Sequence, residues 1–282
     1  MKVRATHRFP GPAWDELGEV EIAPADTPGP DVDALVVLNE PVDFDLYPSL
    51  QLIANYSVGY DRIDVAAAAS RNVAVTNTPG VLDAATADLA MALMLAARRG
   101  VVTGDRVIRA GGWSTAPGRE VSGATLGIIG LGRIGSAVAR RAAGFDMRIL
   151  PVRRSNGDLD EVLRTADIVT LHVPLSTETQ KLISRDRLAL LKDGATLVNT
   201  ARGGIVDEGA LVDELVSGRI GAGLDVFAHE PHVPEELYGL DNVVLTPHIG
   251  SSTVETRAAM TRVVVDNVLA FGRGEPLPNP VT

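Results

Sequence analysis

Cysteine is absent from this 282-residue chain. That excludes a disulfide scaffold, thiolate zinc sites, iron–sulfur clusters and a catalytic thiol. Positive charge is in deficit, with 26 Lys and Arg against 36 Asp and Glu and a formal charge of −10. Such a balance argues against general binding to nucleic acid or to an anionic membrane, while leaving room for a local basic patch. Long hydrophobic runs are missing too. The longest apolar-rich stretch, Ala84 to Ala97, is too short to span a bilayer and contains Asp88. The N-terminal run from Met1 to Pro10 has no apolar core, so no secretory signal is expected there and a cytoplasmic location is. Heptads, low-complexity tracts and short repeats are also lacking.

What is present is an ordinary soluble composition, 45% apolar and 22% charged. The length is more than one compact core usually fills, so two domains are expected. Short β-type runs alternate with helical ones, which argues for an α/β fold with mostly parallel sheets. The first strand series reads Lys2–His7, Val20–Ala23, Ala34–Leu38, Leu50–Ala54 and Val73–Thr76. Its connections are lean. Asp26 to Asp31 carries two prolines and a glycine where a crossover helix would be expected, and it reads as a loop or at most one turn.

Asp83 to Arg99 reads as a long helix, apolar on most faces and therefore buried between layers or domains. A second strand series follows at Ala124–Gly130, Met147–Val152, Ile168–Val173, Ala195–Thr200, Gly221–Val226 and Val243–Thr246. Helices fit between them at Ile134–Gly144 and Glu208–Ser217. A last helix spans roughly Ser252–Phe271, ahead of a Pro- and Gly-rich tail.

Gly130-Leu131-Gly132-Arg133-Ile134-Gly135 follows a predicted strand and opens a predicted helix, the context in which G-x-G-x-x-G means dinucleotide binding. The first glycine permits the turn, the second admits the pyrophosphate to the backbone, and the third lets helix pack on strand. The next strand should end in a carboxylate if it is to hold a ribose 2′-hydroxyl. Here it ends in Arg153-Arg154-Ser155, two guanidiniums and a hydroxyl suited to a 2′-phosphate. NADP(H) is therefore expected over NAD(H), which remains possible. The segment from Asn156 to Glu161 is too short for a full helix and a further strand, so the sheet is expected to lack the strand beyond the adenosine.

Three charged groups stand just beyond three consecutive predicted strands: Arg202, Glu230 and His248. The carboxyl ends of neighbouring parallel strands share one edge, where open α/β sheets bind ligands. Reduction of a 2-oxo acid needs a hydride, a proton donor for the carbonyl oxygen, and a clamp for the carboxylate. A nicotinamide supplies the first. Imidazole suits the second, and a neighbouring Glu favours the imidazolium and orients it. Guanidinium suits the third. His229, beside Glu230 on a looser loop, is the rival to His248.

Several segments resemble the D-isomer-specific 2-hydroxyacid dehydrogenases. They are Asn199 to Gly204, Leu224 to Pro231, Pro247 to Ser252, Ala54 to Asp64, Asn77 to Gly80, and Thr86 to Ala90. The likeness runs from about Leu50 to the end. Within the family the loop Asn55–Gly59 looks most like the glyoxylate/hydroxypyruvate reductases; phosphoglycerate dehydrogenases are similar but carry Arg where Asn55 stands. The resemblance implies two Rossmann-like/flavodoxin-like parallel-sheet domains. Residues 1–82 plus 253–282 would form a discontinuous, flavodoxin-like substrate domain, and 83–252 a Rossmann dinucleotide-binding domain.

It further implies that Arg202, Glu230 and His248 are catalytic, with His248 the proton donor. Backbone N–H groups around Val58 and Gly59 would hold the substrate carboxylate with Arg202. Gly130 to Gly135, Arg153, Arg154, Ser155, Val173, Pro174, Thr179, Thr200, Ala201, Arg202, Asp225, His248 and Gly250 would contact the cofactor, with no metal required. A homodimer joined around Asp83–Trp113 is implied as well, acting on a small 2-oxo or 2-hydroxy acid. Two alternatives stay open. One is a catalytically idle nucleotide-sensing scaffold of the same fold. The other is a family enzyme acting on a different acid, such as phosphoglycerate or phosphite.

Overall fold

A computed structural model describes residues 1–153 and 157–281. The chain divides into two compact units, Met1–Leu82 with Ser251–Thr282, and Asp83–Gly250.

The first unit is built on five short strands: β1 (Val3–Ala5), β2 (Glu21–Ile22), β3 (Ala34–Val37), β4 (Leu52–Asn55) and β5 (Ala74–Thr76). All pair in parallel, in the order β2-β1-β3-β4-β5. The inner strands β3 and β4 are buried along their whole length, as runs of Ala, Leu, Val and Ile covered on both faces must be. One short helix, α1 (Val65–Ser70), links β4 to β5, its start capped by the Asp64 carboxylate accepting from Ala67 N–H.

The Pro-rich stretch before β3 forms turns and no helix, as its composition requires. Arg4 stands in for the missing crossover. Its side chain is 4% exposed, donates to the carbonyls of Thr27 and Pro28, pairs with Glu21 at 2.7 Å, and lies over the Tyr47 ring. Tyr47 in turn donates its hydroxyl to the Ala25 carbonyl. Backbone groups that a helix would have satisfied internally are met here by one buried guanidinium and one phenol.

The second unit opens with α2 (Asp83–Arg99), which ends at Gly100 in the left-handed region, φ 61°. A helix that the sequence does not announce, α3 (Val101–Arg109), follows at once. The apolar faces of α2 cover the second sheet, with Ala87, Ala90 and Met94 fully buried. Then come β6 (Thr125–Ile129), α4 (Arg133–Ala142), β7 (Arg148–Val152), α5 (Leu159–Thr165), β8 (Ile168–Leu171), α6 (Arg185–Leu188), β9 (Thr196–Asn199), α7 (Glu208–Val216), β10 (Gly221–Leu224) and β11 (Val243–Leu245).

These strands are again all parallel, ordered β11-β10-β9-β8-β6-β7. The winding reverses between β6 and β8, the switch point at which doubly wound sheets open a crevice. Among the described residues the seven-residue α5 is the helix between β7 and β8, and β7 ends the order.

The chain returns to the first unit at Ser251 and forms α8 (Val254–Gly272), capped by the Thr253 hydroxyl accepting from Thr256 N–H. Met260, Val264, Val265 and Val268 bury its inner face. Tyr56, stacked on Phe9 at 4.2 Å, donates its hydroxyl to the Arg257 carbonyl. The tail is not loose: Val281 N–H donates to Val75, joining it to β5.

Candidate active site

The glycine loop lies where β6 turns into α4. Gly130 has φ 97°, and a Cβ there would stand 2.7 Å from the His172 carbonyl carbon. A side chain on Gly135 would run into the Gly130 carbonyl. Both must be glycine for β6, β8 and α4 to meet so closely. The turn is fixed by Gly130 N–H donating to Val152 O at 2.9 Å. Leu131 and Gly132 complete the turn, and Arg133 and Ile134 begin α4, so the orphan N–H groups of that helix end sit beside the loop.

Across the switch point, Val173 and Pro174 follow β8. Thr179 organises the loop beyond them, donating to the Pro174 carbonyl at 2.6 Å and accepting from Ser176 N–H at 2.8 Å. After β9, the buried Thr200 hydroxyl has no partner among the described residues, an unfilled polar group of the kind a ligand completes. The donor set, a glycine cradle at a helix N-terminus, fits a dinucleotide pyrophosphate. Arg153 is exposed at the end of β7, while Arg154 and Ser155 lie outside the described residues. Among the described residues no group of three or more His, Asp or Glu is placed to hold a metal ion.

The three charged residues leave adjacent strands β9, β10 and β11 at the same end. His248 has φ 53°, an uncommon conformation for a non-glycine residue, and Asp225 enforces it. The Asp225 carbonyl accepts from His248 N–H at 2.9 Å. Its Oδ1 accepts from the Thr246 hydroxyl at 2.6 Å and Ile249 N–H at 2.8 Å, and its Oδ2 from Gly250 N–H at 2.8 Å. Burial pushes this fully enclosed carboxyl above its ordinary range, against the pull of those donors and of the nearby His248. The structure thus places Asp225 beneath the His248 loop, with both oxygens engaged by that loop.

With the loop so held, His248 Nδ1 lies 2.8 Å from Glu230 Oε2, and Glu230 Oε1 accepts from Phe227 N–H at 3.1 Å. Burial alone would raise the Glu230 carboxyl. The hydrogen bond and charge of His248, the Phe227 N–H and the Arg202 guanidinium together bring it below its usual value, so it is ionised at neutral pH. His248 is 48% exposed, and its Nε2 bonds to none of the described residues. The pair presents one tethered nitrogen and one open nitrogen. His229 is exposed, and its imidazole bonds to none of the described residues; its carbonyl accepts from His232 N–H.

Arg202 is positioned by Asn199 at the end of β9. The Asn199 carboxamide accepts from Ala201 N–H and donates to the Arg202 carbonyl, and the Arg202 guanidinium donates to Ala201 O at 2.8 Å. Gly203 then packs so tightly that a Cβ would overlap the Phe227 carbonyl. Glu208, first residue of α7, accepts from Ala228 N–H at 2.8 Å. Reasoning from sequence passed over Asn199 and Glu208 as supports. Asn at a strand end is a turn signal that could have marked the first. Nothing local marks the second.

Val58 and Gly59 belong to the first unit, on the loop after β4. In the second unit His172 follows β8, its Nε2 2.9 Å from the Thr170 hydroxyl, and desolvation pushes its imidazole down to about 4.

A family profile, D-isomer specific 2-hydroxyacid dehydrogenase, NAD binding domain, matches residues 91–250. The glyoxylate reductase of Pyrococcus furiosus is 49% identical over 95% of this chain and 88% of its own length. Among solved structures, a Thermus thermophilus protein superposes with a TM-score of 0.93 at 42% identity, each chain fully covered. The NADPH-dependent glyoxylate/hydroxypyruvate reductase of Sinorhizobium meliloti, in complex with NADP and malonate, gives 0.91 at 36% identity, covering 100% of this chain and 96% of that one. The glycine loop at a switch point and the family match together define an oxidoreductase that uses a nicotinamide dinucleotide. The chain belongs to the D-isomer specific 2-hydroxyacid dehydrogenases. Within them it is closely related to the glyoxylate/hydroxypyruvate reductases.

Proposed function

We propose that this enzyme reduces small 2-oxo acids, glyoxylate and hydroxypyruvate among them, to D-2-hydroxy acids, with NADPH as the preferred donor. The observation that carries the reading is the His248–Glu230 pair, in which Nδ1 is tethered to a carboxylate and Nε2 is open. An imidazolium so held donates a proton from Nε2 to a carbonyl oxygen, and the ionised Glu230 stabilises it until transfer. Arg202 binds the substrate carboxylate by planar, two-point hydrogen bonding. The bound nicotinamide supplies the hydride.

Gly130 to Gly135 and the start of α4 hold the pyrophosphate, and Arg153, Arg154 and Ser155 hold the 2′-phosphate. Val173, Pro174, Thr179, Thr200, Ala201 and Gly250 line the remaining length of the cofactor, and Asp225, fully enclosed with both oxygens engaged by the His248 loop, supports that lining from behind. The first unit is the substrate domain, with Val58 and Gly59 as carboxylate-binding amides. The protein acts in the cytoplasm as a homodimer joined around Asp83–Trp113. Support for that surface comes from Val101, Ile108 and Trp113, which are 57%, 54% and 90% exposed.

The test is oxidation of NADPH by the purified protein with glyoxylate, hydroxypyruvate, pyruvate and longer 2-oxo acids. Turnover on the smallest acids is expected, and none on any acid overturns the reading. A higher kcat/KM with NADH overturns the nucleotide preference alone.

A further inference from the structure

The loop after β4 is held by two asparagine side chains that the reaction chemistry does not otherwise use. Asn55 closes β4, opposite Val37 of β3, and is fully buried. Its Oδ1 accepts from Asn39 N–H at 2.8 Å, which fixes which way its carboxamide faces. Its Nδ2 then donates to the carbonyls of Gly59 at 2.8 Å and Ser57 at 3.3 Å. Asn77, just past β5, donates from Nδ2 to the Val58 carbonyl between them at 2.9 Å. Thr78 N–H adds a second bond to the Ser57 carbonyl at 3.0 Å. Three successive carbonyl oxygens are therefore drawn toward the two asparagines. The N–H groups of Val58 and Gly59 donate to none of the described residues.

The electrostatic consequence follows from the peptide dipole. A loop whose carbonyls faced a ligand would repel an anion; one whose N–H groups face it attracts one. A free loop interconverts between these by rotating its peptide planes. Holding every carbonyl of Ser57 to Gly59 removes that freedom before the anion arrives, so its ordering cost is not charged against binding. We propose that Asn55 and Asn77 are positioning residues that hold the Ser57–Gly59 peptide planes with the Val58 and Gly59 amides turned to the substrate carboxylate. The proposal rests on the reading of those amides as the carboxylate site.

Asn55→Asp and Asn77→Asp test it in the full-length protein. Each keeps the shape and the Oδ1 acceptor and replaces the donor by an acceptor. KM for glyoxylate should rise roughly tenfold or more, as expected when a charge-binding hydrogen-bond arrangement is lost. The kcat should stay within about threefold and NADPH affinity should not change, because proton transfer and cofactor binding lie elsewhere. Asn77 is only half-buried, so Asn77→Asp carries the test if the buried Asn55→Asp does not fold.

Backbone amide shifts on titration with oxamate separate the two readings. If wild type turns over no 2-oxo acid but its Val58 and Gly59 amides shift with oxamate, the activity reading fails and the anion site stands. Loss of those shifts in Asn77→Asp supports the positioning role. Equal shifts in both proteins, an unchanged KM in a folded variant, or no shifts in wild type overturn it.

Discussion

His248 Nδ1 and Glu230 Oε2 are 2.8 Å apart, although 18 residues and the whole of β11 separate them in the chain. The geometry uses one imidazole nitrogen for orientation and leaves the other for chemistry. His248→Ala should therefore lower kcat by about 10²- to 10⁴-fold, the usual worth of a positioned proton donor, with NADPH affinity little changed. His229→Ala should leave turnover within about twofold, as an exposed side chain outside the pair would. Steady-state kinetics of both variants check this; an equal loss from His229→Ala would transfer the role. Glu230→Gln removes an anion that is ionised through the neutral range. The variant should lower kcat by about tenfold or more with NADPH affinity unchanged, because the imidazole loses the charged partner that orients it at Nδ1.

Asp225 should act on His248 through the backbone. Asp225→Ala deprives the Thr246 hydroxyl and two N–H groups of their acceptor at a buried site, which should cost about 2–4 kcal/mol of stability. Thr246→Val removes one bond and should cost about 1 kcal/mol. Urea denaturation measures both. The kcat of Asp225→Ala should fall even where it remains folded, because the bonds that hold φ of His248 at 53° are loosened.

Gly203 and Gly204 are neighbours in sequence with opposite tolerances. A methyl group on Gly203 overlaps the Phe227 backbone, and the Arg202 and Glu230 loops would have to part to admit it. Gly203→Ala should cost about 3 kcal/mol or more. A methyl on Gly204 meets only the Leu175 methyls at 3.4 Å, so Gly204→Ala should be within about 0.5 kcal/mol of wild type. Thermal melts of the two variants would show whether the loops are pressed together as described.

His172 should contribute an acid-sensitive element to stability. Its folded value of about 4 lies below the ordinary value of 6.5. Above 6.5 neither folded nor unfolded chain protonates it. Below 6.5 the unfolded chain takes the proton first, so stability falls with pH until about 4, by about 3 kcal/mol in all. His172→Gln should flatten that part of the curve. Chemical denaturation of both proteins at pH 7.5 and 4 gives the difference, and parallel curves would refute the assignment.

The strand series were legible because buried parallel strands are apolar runs bounded by Gly, Pro, Asn and Asp. Strand phase then pointed from β9, β10 and β11 to Arg202, Glu230 and His248 without any contact being known. Other features were not. α3 begins where α2 has visibly ended, its Val101-Val102-Thr103-Gly104 start is a poor helix former, and none of its residues is buried, so no apolar core face marks it in the sequence. Arg4 is buried on β1 because a proline-rich loop left carbonyls to satisfy, and nothing in the strand's own pattern marks that. Asn55 holds the loop that follows its own strand and Asp225, at the end of β10, holds the loop that follows the neighbouring β11, and linear spacing carries no record of either contact.

The absence of a strand beyond β7 among the described residues has a consequence for solution behaviour. An edge strand of a parallel sheet presents outward-facing N–H and C=O groups to any extended chain it meets. In β7 the Val152 carbonyl faces β6, accepting from Gly130 N–H, so its neighbour Pro151 faces outward. There the ring offers no N–H, and exposed Arg148 and Arg153 stand near either end of the strand. Recruitment of a foreign strand would meet a missing donor and a positive charge at each end. Pro151→Val should restore the donor row and leave the shortened sheet prone to edge-to-edge self-association on warming.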